Sequence, residues 1–147
     1  MKTYKKILAL ILIVAISISS AAFADDSAET VNDIQPRASA YIDSYSGSIK
    51  PTGNGNFKIV FSIVGTGTMQ MIGALSIRIY KNGTQVASFS YSDTGRSGMM
   101  AYNTYYHADT ETYSGVSGAS YYARISFYAK NSSGSDIKYY NTPTVVV

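Results

Sequence analysis

The alternation in "FKIVFSIV", residues 57–64, narrows the folds open to this chain more than any other feature. Phe57, Ile59, Phe61 and Ile63 occupy every second position. Successive side chains of a strand point to opposite faces, so the pattern fits a β-strand with one face buried. "YYARISFYAK" repeats it. Tyr121, Ala123, Ile125, Phe127 and Ala129 share one parity; Tyr122, Arg124, Ser126, Tyr128 and Lys130 share the other. From Arg37 onward no segment sustains a helical period.

Further strands are expected over Ala38–Lys50, over "MQMIGALSIRIY" with Leu75, Ile77 and Ile79 inward, and over Gln85–Tyr91. Met99–Gly115 reads as one or two strands with a break near His107–Asp109, and "IKYYNTPTVVV" as a last strand. Pro51–Asn56 reads as a turn and "GTGT" as a break. Asn82-Gly83 suits a two-residue hairpin, because both residues tolerate positive φ. Pro143 has no N–H for a ladder, so the last strand belongs at an edge. About seven short strands without crossover helices predict an all-β fold, a single antiparallel β-sandwich, with a closed barrel as the alternative.

The N-terminus reads as an address. Lys2, Lys5 and Lys6 precede the twelve-residue apolar run Ile7–Ile18, and Ala22-Phe23-Ala24 offers a small-x-small cleavage site. About 20 apolar residues are needed to span a bilayer, so the run predicts a cleaved signal peptide over 1–24, with no stable membrane insertion afterwards. An acidic flexible leader is expected over 25–36 and the β-domain over 37–147. Arg37–Val147 carries nine Lys and Arg against five Asp and Glu, without the dense basic clusters of a nucleic-acid binder. An exported chain without cysteine points to a Gram-positive bacterium, excludes a lipoprotein and must fold by burial alone. No sorting motif or hydrophobic tail follows the domain, so a secreted protein is expected, released rather than covalently attached to the wall, with cell-wall association left open.

Two resemblances add to this. Tyr121-x-Ala123-x-Ile125-x-Phe127-x-Ala129-x-Asn131-x-x-Gly134 resembles the F-strand signature of fibronectin type III domains. The early tryptophan of that family is absent, so the likeness implies an immunoglobulin-like sandwich and not membership. More broadly, "FKIVFSIVGTGTMQMIGALSIRIYKNG", "SGMM" and "YSGVSGASYYARISFYAKNSSGSD" resemble a family of small exported clostridial and Gram-positive proteins classed as a domain of unknown function. That likeness implies a single β-domain and assigns no site residues.

Catalytic chemistry is poorly served. His107 is the one histidine, cysteine is absent and no G-x-S-x-G occurs. Ser135-x-x-Lys138 lacks its partner motifs. Asp43, Asp93, Asp109, Glu111 and Asp136 are scattered and make no calcium loop. Asp109 and Glu111 share a strand face, the minimum for carboxylate-dependent hydrolysis, but such a pair is more often a solvated edge. No enzyme and no cofactor or metal are expected.

Tyrosine is the unusual resource. Tyr121 and Tyr139 are expected in the core. In an immunoglobulin-like order the strands bearing Arg78, Tyr122 and Lys138 are neighbours. Arg78, Tyr80, Tyr122, Arg124, Tyr128, Lys138 and Tyr140 would then form one basic, aromatic face. Tyrosine gives a flat apolar area with a polar tip, and arginine stacks on it and grips anions. Arg78, Tyr80, Tyr122, Arg124, Tyr128 and Tyr140 are therefore the ligand-binding candidates, for a glycan, wall polymer or protein partner. The competing reading is cross-strand stacking that only stabilises an exposed sheet. Tyr102–Tyr113, rich in tyrosine around His107, is a second candidate as a recognition loop. A structural, self-assembling matrix protein that lends its "TVVV" edge is the alternative function, and a hydrolase the third.

Overall fold

Alternating apolar residues need a second apolar sheet to cover them, and the chain supplies one. The computed structural model describes residues 39–147; the expected signal peptide and acidic leader lie outside the described residues. The strands are β1 (Ile42–Gly53), β2 (Asn56–Met69), β3 (Met71–Lys81), β4 (Thr84–Ser90), β5 (Met100–Ala101), β6 (Thr104–Ser114), β7 (Ser120–Asn131), β8 (Gly134–Asn141) and β9 (Val145–Val146). One sheet has the order β1-β2-β6. The other has the order β4-β3-β7-β8, with β5 on β3 and β9 on β7. Every pairing is antiparallel. The protein is an all-β antiparallel sandwich, and among the described residues there is no α-helix.

Phe57, Ile59, Phe61 and Ile63 of β2 are fully buried against Tyr121, Ala123, Ile125, Phe127 and Ala129 of β7 and Ile72, Ala74, Ile77 and Ile79 of β3. Aromatic rings bridge the layers: Phe57–Tyr121 at 5.0 Å, Tyr45–Phe127 at 5.1 Å and Phe61–Phe127 at 6.1 Å. Tyr121 is core, as its parity predicts. Its hydroxyl accepts a 3.0 Å hydrogen bond from the Val116 N–H, tying the chain before β7 to the core.

Turn chemistry places several boundaries differently from the sequence reading. Asn54 and Gly55, at φ 54° and 79°, form a two-residue turn, so β1 runs on through Pro51, which its edge position tolerates. "GTGT" does not end β2, which continues to Met69. Asn82 and Gly83 make the expected hairpin at φ 48° and 82°. The break in Met99–Gly115 falls at Tyr102-Asn103, leaving His107 and Asp109 inside β6.

One inward assignment is corrected. A bulge between Ala74 and Ser76 leaves Leu75 out of the pairing with β7. The parity of β3 shifts there, so Ile72 and Ala74 before it and Ile77 and Ile79 after it face the core, while Leu75 is only half-buried. The terminal segment is also divided. Pro143 interrupts the edge between β8 and β9, and Thr142 replaces the lost ladder: its N–H donates to Ala123 O at 2.9 Å and its Oγ1 accepts from Ala123 N–H at 3.0 Å. Val147 exchanges backbone bonds with the Gly118–Ala119 turn, so "TVVV" is engaged within its own domain.

Gly73 is fixed by close approach. A Cβ there would collide with Met99 O and stand 2.8 Å from Met100 Cα, both backbone atoms that no rotamer can move. Gly73→Ala is expected to cost at least about 1–3 kcal/mol in urea denaturation and to free the Met100–Ala101 amides to exchange.

Candidate functional site

The face is built by register. Residues directly opposite across antiparallel strands share a side, with Cβ atoms about 4.5–5.5 Å apart. Tyr80 stands opposite Tyr122, Arg78 opposite Arg124 and Ser76 opposite Ser126. On β8, Ile137 faces Tyr128, Tyr139 faces Ser126 and Asn141 faces Arg124. Since Ala123, Ile125 and Phe127 are buried, all of these lie on the outward side of β3-β7-β8.

Local contacts order this face. The Tyr80 and Tyr122 rings stack at 4.7 Å with 1° between planes. The Ser76 hydroxyl donates to Ser126 Oγ at 3.2 Å. The Arg124 guanidinium lies 5.5 Å from the Tyr139 ring centroid. Arg78, Arg124 and Lys130 are exposed there, and among the described residues neither arginine makes an ion pair. None of the strand positions on this side is an acid.

Five of the six candidates, Arg78, Tyr80, Tyr122, Arg124 and Tyr128, are thus on one face. Tyr140 is not. It stands opposite Ile125, packs against the core and meets the Tyr45 ring edge-on at 6.1 Å. Lys138, opposite Phe127, is on that inner side too. Tyr139, expected in the core, is 63% exposed and takes the place on the face assigned to Tyr140. The cause is the hairpin: Asn131 pairs with Gly134 across a two-residue loop, which sets the parity of β8.

No family model, curated protein or solved structure matches the chain.

The second candidate, Tyr102–Tyr113, is mostly strand and not a loop. Tyr102, Tyr105 and Tyr106 are exposed, whereas His107, Asp109, Glu111 and Tyr113 stand opposite Ile63, Phe61, Ile59 and Phe57 and so point inward. The segment between β4 and β5 covers this polar row. The His107 Nε2 atom is 2.8 Å from Gly98 O. Arg96 pairs with Glu111 and lies 3.6 Å from the Phe89 ring centroid. Burial pushes the Glu111 carboxyl above its ordinary value, against the pull of Arg96 and with a smaller push from Asp109. This row latches the covering segment to β6.

Asp136 has a similar tethering role at the start of the domain. It accepts hydrogen bonds from Ser39 Oγ and from Tyr41 N–H, and the Ser39 bond, with help from Tyr41, holds its carboxyl below the ordinary range. Among the described residues no group of three or more His, Cys, Asp and Glu is placed to hold a metal ion. A recess of about 280 Å³ lies beside β2 and β6, lined by Thr52, Phe57, Lys58 and Thr112 among others, and neither carboxylate of the Asp109–Glu111 pair lines it.

Proposed function

We propose that this protein is an exported, non-catalytic binding domain that holds an extracellular glycan, wall polymer or protein against the outward face of β3-β7-β8. The observation that carries this reading is charge segregation. Arg78, Arg124 and Lys130 share a tyrosine-lined face with no acid at its strand positions, while Glu111 pairs with Arg96, Asp136 accepts from Ser39 and Tyr41, and Asp109 points inward on β6. A face meant only to be solvated gains by interspersing both signs.

We read the sandwich as immunoglobulin-like. The three-stranded β1-β2-β6 sheet facing the β4-β3-β7-β8 path of the six-stranded one, the adjacency of β3, β7 and β8, and the tie from the Tyr121 hydroxyl to the backbone just upstream support it. Export, release from a Gram-positive cell and the absence of catalysis belong to the same proposal. They rest on the N-terminal pattern, the lack of cysteine, the inward position of Asp109 and Glu111 and the pairing of Glu111 with Arg96.

Sedimentation with purified Gram-positive cell walls tests the reading. The wild-type domain is expected to be retained, and the variant carrying Tyr122→Ser, Arg124→Ser and Tyr128→Ser is expected to stay in solution while still folded, with a modestly lower melting temperature from the lost Tyr80–Tyr122 stack. Equal retention of both proteins would move the site off this face.

A further inference from the structure

We infer that the ligand is a linear polysaccharide bearing carboxylates, and that Arg78 and Arg124 together form its anion seat. This rests on the binding reading above and names its substrate class. Arg78 and Arg124 stand directly opposite in register across β3 and β7, and like charges so placed repel, at a cost to the free domain. An anion between them reverses the sign of that interaction, and each planar fork can grip a carboxylate through two N–H groups.

Position on the sheet favours a polymer. The seat lies on an open sheet surface, and none of its residues lines the recess beside β2 and β6. A third cation, Lys130, lies six residues along β7 from Arg124 on the same side, roughly 20 Å away at strand rise. A chain with repeated charges spans that distance; a small acid does not.

The aromatic groups favour sugar rings over a bare polyanion. Arg124 sits between the Tyr80–Tyr122 stack and the exposed Tyr139 ring, so the anion seat is flanked by rings on both sides. A tyrosine ring packs against the apolar face of a pyranose, while its hydroxyl reaches the sugar hydroxyls. A polyphosphate has the charge and nothing to stack. A peptide would want aliphatic pockets, and this face offers serine, arginine and tyrosine, with Ile137 the exposed aliphatic residue beside Tyr128.

Binding of the full domain to polygalacturonate, dextran and polyphosphate tests this by isothermal titration, at low salt and at about 0.15 M salt. Polygalacturonate is expected to bind, dextran not, and polyphosphate at least about tenfold more weakly than polygalacturonate. The double variant Arg78→Gln, Arg124→Gln is expected to lose about tenfold or more in affinity. Without ligand, that variant should melt no lower than wild type, since it relieves a repulsion. Polyphosphate binding as tight as polygalacturonate would overturn the saccharide class. Binding undiminished in the double variant would overturn the seat. If no polymer binds but walls still retain the protein through Tyr122, Arg124 and Tyr128, the ligand class is wrong and the binding face stands. If wall retention also fails, both readings fall.

Discussion

Phe127→Ala is expected to lower the stability of the domain by about 3–5 kcal/mol. Phe127 is fully buried between the sheets, with Tyr45 at 5.1 Å and Phe61 at 6.1 Å. Truncation removes the transfer energy of the ring and leaves a cavity between the sheets beside Tyr45 of β1 and Phe61 of β2. Domains of ordinary size have roughly 5–15 kcal/mol in total, and this chain has no cysteine to staple the fold. The loss therefore takes a large part of the stability and should show as a much lower urea midpoint. The neighbouring substitution Tyr128→Ser, on the opposite face of the same strand, should cost far less. Equal losses at the two positions would contradict the assignment of faces on β7.

Arg96→Ala is expected to destabilise the domain by about 1–3 kcal/mol at neutral pH, with a characteristic pH dependence. Arg96 contacts two groups at once, the Phe89 ring and the Glu111 carboxylate, whose side chain is 12% exposed. Removing the cation leaves that carboxylate shielded from water and without its partner. The carboxyl of Glu111 is already raised above 4.5 in the folded protein, chiefly by burial. For a raised acid the folded state binds the extra proton, so its contribution to stability falls as pH rises from the unfolded value through the folded one. Arg96→Ala removes the two influences that lower the folded value, so the fall becomes larger and extends to higher pH. The deficit of the variant should be smallest near pH 4, where Glu111 is mostly protonated in both states, and largest at neutral pH. Adding Glu111→Gln should recover much of it and flatten the profile. Urea denaturation across that pH range measures all three proteins, and a deficit independent of pH would leave only the Phe89 contact.

Much of the sandwich was legible because burial of one strand face has a period of two. The core residues of β2 and β7 follow directly from "FKIVFSIV" and "YYARISFYAK". What escaped was wherever a single extra residue resets parity. The bulge at Leu75 cannot be read from apolar spacing, because Leu75 itself keeps the alternation with Ile77. Tyr139 and Tyr140 were exchanged for the same reason: both are tyrosine, and the choice between them depends on whether the hairpin loop holds two residues or more. Counting back from an Asn131–Gly134 pair would have placed Tyr139 on the outward face. The inward turn of His107, Asp109 and Glu111 was hidden differently. A polar row in a core-facing position makes sense only once Arg96 and Gly98, from the segment between β4 and β5, cover it.

Tyrosine-selective nitration in the presence of wall polymer, mapped by mass spectrometry, tests the central claim most directly. Tyrosine marks both candidate surfaces: Tyr122, Tyr128 and Tyr139 on the outward face of β7 and β8, Tyr102, Tyr105 and Tyr106 near the start of β6. The binding reading predicts that polymer protects Tyr122, Tyr128 and Tyr139 and leaves Tyr102, Tyr105 and Tyr106 as reactive as in the free protein. Protection of the three tyrosines near β6, with Tyr139 still fully reactive, would contradict it.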